Sequence, residues 1–221
     1  MKYPNITEGT FISRPNRFIA QVEINGRIET VHVKNTGRCR ELLIPGCTIW
    51  LTEPETAGRK TKYDLVAVKK SNGNIFNIDS QAPNKVVREW LDKQGFDMIK
   101  PEYAYGKSRV DMYMERGSVK YLLEVKGCTL EIDGIGYFPD APTDRGVKHI
   151  RELIKARSEG YNAALGFVIQ TEGVKEVRAN IKTHPEFGAV LEEAKKSGVK
   201  VLFFTCSVTP DTLVITGMTE G

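Results

Sequence analysis

Arg109-Val110-Asp111-Met112-Tyr113-Met114, followed by Tyr121-Leu122-Leu123-Glu124-Val125-Lys126, is the stretch on which both fold and chemistry turn. Side chains alternate across a strand, so Glu124 and Lys126 project from one face while Leu123 and Val125 point to the other. An ion pair in an otherwise apolar strand is costly unless it is partnered. Asp111 occupies a similar strand, and a hairpin between the two sets its carboxylate beside that of Glu124. Two adjacent carboxylates repel, and one pKa rises unless a cation neutralises the pair. A hard divalent ion suits such an oxygen set; Mg2+ takes one or two carboxylates plus waters and phosphate oxygens. Glu-x-Lys on a strand is by itself usually a surface salt bridge. The upstream aspartate, with a helix before and a helix after, is what gives it chemical meaning.

Working outward, Ala82-Pro83-Asn84 opens a helix in which Val86, Val87, Trp90 and Leu91 recur at helical spacing until Gly95. Strands are expected around Tyr103, over Val110 to Met114 and over Tyr121 to Val125. A second helix is expected from Thr143-Asp144 through Ile150, Leu153 and Ile154 to Gly160, and a third over Pro185 to Lys196, closed by Gly198. Ala163 to Ile169 and Val199 to Thr205 read as buried strands. Helix, three strands, helix, strand, helix, strand is a mixed α/β layer arrangement over residues 81–221.

Residues 1–80 have a different rhythm. Phe18 to Ile24 leads into Asn25-Gly26, a strong hairpin signal, and Ile28 to Val33 alternates as a half-buried strand does. Thr48 to Leu51, Tyr63 to Val68 and Ile75 to Ile78 complete about five strands, with a non-strand segment from Arg38 to Leu43. A five-stranded barrel of the OB type fits this count, and such barrels commonly bind oligonucleotides.

The chain has 221 residues, with 32 Lys+Arg against 28 Asp+Glu. Residues 1–80 hold 12 basic and 8 acidic side chains, whereas the rest is balanced, so the surplus lies in the first module and hints at an anionic partner. Arg14, Arg17, Arg38 and Arg40 are its main candidates. Phe18, Trp50, Tyr63 and Phe76 are the aromatics able to stack on bases, although a small barrel needs most of them in its core. In the second helix, Arg145, Lys148, His149 and Glu152 share one face that can meet a phosphate backbone, while Val147, Ile150 and Ile154 can face the core. No apolar run approaches the roughly 18 residues of a membrane helix, and no signal peptide is evident, so a cytoplasmic location without a membrane partner is expected. Cys39, Cys47, Cys128 and Cys206 form no Cys-x-x-Cys pair, which excludes a typical zinc site. Reduced thiols are expected, with a Cys39–Cys47 bridge as the alternative.

The Asp111…Glu124-Val125-Lys126 arrangement resembles that of the PD-(D/E)xK nuclease superfamily. That resemblance implies Mg2+ or Mn2+ held by Asp111, Glu124 and the Val125 carbonyl, Lys126 orienting the attacking water, and Glu89 as an outer carboxylate. The whole chain resembles the sugar fermentation stimulation protein (SfsA) family more specifically. The matching stretches are Arg14-x-x-Arg17-Phe18-x-Ala20, Asn35-Thr36-Gly37, Pro45-Gly46, Trp50, Tyr105-Gly106-x-Ser108-Arg109-Val110-Asp111, Glu124-Val125-Lys126 and Gly136 to Gly146, continued by Lys148-His149 and Arg151-Glu152-Leu153. Val33-Lys34 and Val147 stand where members often carry Cys-Pro and Gln. The family implies an OB-like barrel at 1–80, a PD-(D/E)xK-like α/β domain at 81–221, and a DNA partner rather than RNA. Three functions are then open: a DNA-binding protein with a Mg2+-dependent nuclease-like site, a non-catalytic DNA-binding regulator of sugar metabolism, or an OB-type oligosaccharide or protein-interaction module.

Overall fold

The computed structural model describes residues 1–55, 58–106 and 108–221. Strands β1 (Ile6–Asn16), β2 (Ile19–Ile24), β3 (Arg27–Val33), β4 (Thr48–Thr52), β5 (Asp64–Lys69) and β6 (Ile75–Asn77) form the first sheet, ordered β3-β2-β1-β4-β5-β6. Parallel pairing of His32 and Val33 with Asp64 and Leu65 joins β3 to β5 and closes five of these strands into a barrel. Asn25 and Gly26 both take positive φ, 51° and 77°, as a two-residue hairpin turn matched to strand twist requires. The barrel is filled by Phe11, Val22, Val31, Ile49, Leu51, Leu65 and Phe76. Residues 38–43 form no strand, as expected, and bury Cys39, Leu42 and Leu43 in the barrel core.

The second unit is a three-layer arrangement. Helix α1 (Ala82–Leu91) precedes β7 (Met98–Tyr105), β8 (Ser108–Arg116) and β9 (Val119–Cys128). Then come β10 (Leu130–Ile132), β11 (Ile135–Phe138), α2 (Asp144–Ser158), β12 (Asn162–Ile169), β13 (Val177–Ala179), α3 (Pro185–Lys196), β14 (Lys200–Thr209) and β15 (Thr212–Glu220). Six of these strands make a mixed sheet, β15-β14-β12-β9-β8-β7, with β9, β12 and β14 parallel at its centre. Val86, Val87 and Leu91 of α1 pack on one face against Leu123, Val125 and Phe204. Val147, Ile150 and Leu153 of α2, with Phe187 and Val190 of α3, cover the other against Leu122, Leu165 and Phe167. Leu153 takes the buried place, with Ile154 only half-buried beside it. The small sheet β10-β11-β13 and the edge strand β15 were not expected from the sequence; the first is built from strands of three or four residues, and β15 buries little beyond Leu213. All four cysteines are free. None of the described helices is long and apolar enough to cross a membrane.

The two units meet along a buried polar seam. Gln170 Nε2 donates to Asn77 Oδ1 at 2.9 Å and to the Asp79 carbonyl at 3.1 Å, and Tyr3 Oη donates to Asp79 Oδ2 at 3.1 Å. Lys34 Nζ lies 3.0 Å from the same carboxylate, which is wholly inaccessible to solvent. Lys70 of the barrel pairs with Glu131 of β10 at 2.5 Å. Arg38 N donates to Asp140 Oδ2 at 3.2 Å, and a Cβ on Gly37 would lie 2.5 Å from that oxygen, so a side chain at position 37 would displace the Asp140 carboxylate.

Candidate active site

Adjacent strands bring the acidic pair together. The β8–β9 register sets Met112 opposite Leu123, and Val125 N donates to Asp111 Oδ2 at 2.7 Å. Asn84, in the first turn of α1, holds the other oxygen at 2.9 Å. Glu124 is buried, and its Oε1 accepts from Lys126 Nζ at 2.5 Å and from His149 of α2. Arg145 Nε donates to His149 Nε2 at 3.3 Å, so the ring proton belongs on Nδ1, facing the carboxylate. Helix α2 is aimed at this point by its N-cap, where Thr143 Oγ1 accepts from Gly146 N at 3.0 Å.

The two carboxyl groups are electrostatically unequal. Burial, and then the neighbouring Glu124 charge, push the Asp111 carboxyl above its ordinary value despite the Val125 N–H, Lys126 and Asn84. Burial also opposes charge on Glu124, but the His149 hydrogen bond and Lys126 outweigh it and hold that group below its ordinary value. The repulsion left at Asp111 and the all-oxygen set of two carboxylates and the Val125 carbonyl fit a hard divalent cation. Among the described residues no cluster of three or more His, Cys, Asp or Glu side chains stands ready as a metal cage. Water and phosphate oxygens would have to complete the shell.

These residues open into a cleft of about 800 Å3 walled by Asn84, Arg109, Arg145 and Lys148 and, from the barrel side, by Thr36 and Ser80. Glu102 also lines it. Pro101 pairs with Met112 and Tyr103 with Val110 without a shift of register, leaving Glu102, at a positive φ of 50°, opposite Asp111. The Pro101-Glu102 break in β7 was the available sequence signal for it. Beside the cleft, Thr36 also borders a depression of about 230 Å3 lined by Arg17, Arg38 and Arg40.

A family model described as the SfsA N-terminal OB domain matches residues 12–78, and one described as the sugar fermentation stimulation protein RE domain matches residues 81–212. The chain belongs to the SfsA family. A sugar fermentation stimulation protein homolog of Desulfitobacterium hafniense is 56% identical over 96% of this chain and 94% of its own length. One from Clostridium beijerinckii is 51% identical over 97% and 96%. A solved structure of Pyrococcus furiosus SfsA in complex with Ca2+ shares 30% identity at a TM-score of 0.84, covering 99% of this chain and 96% of that one.

In this SfsA-family chain the structure gathers Asp111, Glu124, Val125, Lys126, Arg145 and Lys148 in one cleft, and Arg17, Arg38 and Arg40 next to it. Three sequence expectations need correction. Glu89 is no outer ligand: it is on the exposed side of α1, its Oε2 2.8 Å from the Met1 amino group. His149 lines the cleft but is buried with Nδ1 on Glu124 and Nε2 accepting from Arg145, so it is spent on these partners rather than offered to a phosphate. Arg14 is not free for an anion, because its Nη atoms donate to the carbonyls of Gly37, Arg38, Arg17 and Asn35. Of the candidate stacking rings, Trp50 and Phe76 are buried, Tyr63 is half-buried and Phe18 alone is exposed.

Proposed function

We propose that the protein binds nucleic acid, DNA in the first place, across the barrel arginines and the cleft, and hydrolyses phosphodiester bonds there with a divalent cation, Mg2+ or Mn2+. The observation that carries this reading is the unequal carboxyl pair Asp111/Glu124 beside Lys126 in a cleft whose other wall is basic. Asp111, Glu124 and the Val125 carbonyl hold the cation, and the calcium complex of the Pyrococcus furiosus relative supports a hard divalent ion in this family. When bound, the ion supplies charge neutralisation and lowers the pKa of water. In this reading Lys126 orients the attacking water and offsets charge on the phosphoryl oxygens. Arg145 and Lys148, exposed on α2, hold the backbone phosphates on either side. His149 fixes the Glu124 rotamer.

Incubation with single- and double-stranded DNA and RNA in Mg2+, Mn2+ or EDTA tests it. Metal-dependent cleavage, abolished by EDTA and reduced ~100-fold or more by Lys126→Ala, is expected. Absence of cleavage on every substrate, or cleavage indifferent to Lys126→Ala, sinks the hydrolytic part. A second reading, a regulator that binds DNA without cutting it, is favoured by one observation: Glu124 already has both Lys126 and His149 as partners. Binding that persists without any turnover selects it.

A further inference from the structure

Phe18 stands out because a phenyl ring gains nothing from water. It is the one aromatic side chain classed as exposed among the described residues, 47% accessible, on a barrel whose other rings are buried or half-buried. Its position is built rather than loose. Asn16 Oδ1 accepts from Phe18 N at 2.9 Å and from Ile19 N at 3.1 Å, and the Phe18 carbonyl accepts from Val33 N at 2.8 Å. The Arg17 guanidinium lies 4.9 Å from the ring centroid.

The ring also borders the candidate site. A depression of about 150 Å3 runs from Phe18 past His32 to Thr36 and Ser80, and those last two residues line the carboxylate cleft as well. Thr36 in turn borders the depression holding Arg17, Arg38 and Arg40, none of which has a carboxylate partner among the described residues. An aromatic face, three unpaired cations and a carboxylate pair therefore open onto one continuous surface.

We infer that the polymer reaching the cleft does so unpaired, with a base stacked on Phe18 and the adjoining phosphates on Arg17, Arg38 and Arg40. This rests on the nucleic-acid reading above and narrows it to single-stranded substrate or a frayed end. A duplex offers the protein phosphates and groove edges, with its base faces already stacked inside. Only an unpaired nucleotide presents a π face together with its charge, the pair of features this surface matches. A sugar ring can also lie on an aromatic face, but a neutral sugar leaves three guanidinium groups without purpose.

The test uses the full chain in EDTA, so that binding is read apart from cleavage. Fluorescein-labelled oligodeoxynucleotides are compared by anisotropy as single strands and as blunt duplexes, alongside a neutral oligosaccharide as competitor. The single strand is expected to bind at least tenfold tighter than the duplex, with Phe18→Ala weakening it about 10-fold, Phe18→Trp restoring it, and duplex affinity unmoved. A 2-aminopurine base in the strand should lose fluorescence on binding to the wild type and keep it with Phe18→Ala. Equal or tighter duplex binding, or single-strand binding indifferent to Phe18→Ala, overturns the stacking inference and leaves the nucleic-acid reading intact. Binding of neither nucleic acid, with or without oligosaccharide binding, overturns both.

Discussion

Arg14 and Arg38 carry the same charge within one small region and do different things with it. The Arg14 guanidinium is consumed by four main-chain carbonyls, so it organises the loop 35–38 and has little left for a ligand. Arg38 and Arg40 are exposed. Arg14→Ala is therefore expected to cost about 3 kcal/mol in urea denaturation, the net of several charge-assisted hydrogen bonds. Arg38→Ala and Arg40→Ala should leave stability within about 0.5 kcal/mol while each lowers the slope of log K against log salt by about 1. An Arg38→Ala protein that melts early with its salt slope intact would reverse these roles. Such a division was not legible in the sequence, where both residues read simply as basic. Which donors a loop's carbonyls take up depends on how strands far apart in the chain bring it back past β1.

At the scale of elements, the β5–β6 loop is tied to β10 through Lys70, whose ammonium meets both Glu131 Oε2 and the Glu131 carbonyl. Burial opposes charge on Glu131, but the Lys70 hydrogen bond, the Gly134 N–H and the Lys70 charge outweigh it and depress its pKa. A depressed acid stabilises the fold above its unfolded pKa and loses that contribution as pH falls through the folded value. Lys70→Ala should thus cost about 1–3 kcal/mol near neutral pH, and the gap from wild type should close below the roughly 4.3 of an ordinary glutamate. Denaturation curves at neutral and acidic pH check this, and a gap that is constant with pH would contradict it. Elements with strong periodicity were legible: the Asn25-Gly26 hairpin, α1, α2 and α3, and the β8–β9 pair with its register of facing carboxylates. Strands β10, β11 and β13 were not, because so short a strand is stabilised by what it pairs with and leaves little pattern of its own.

For the whole molecule, Gln170 of the second unit couples mixed sheet to barrel along the seam through buried hydrogen bonds to Asn77 and Asp79, which Tyr3 and Lys34 hold in place from within residues 1–80. One cooperative calorimetric transition is expected, and two resolved transitions would show that the units unfold independently. The acidic pair and Lys126 were readable as a constellation from strand alternation together with the hairpin that joins the two strands. The contribution of Thr36 and Ser80 to the same cleft was not, since it depends on this seam. The seam has a consequence for recognition. Walls fixed to each other make the cleft a gauge rather than a jaw: a ligand is sorted by its girth on encounter, without a closing movement to select it afterwards. The ordering entropy of the complex then falls on the ligand.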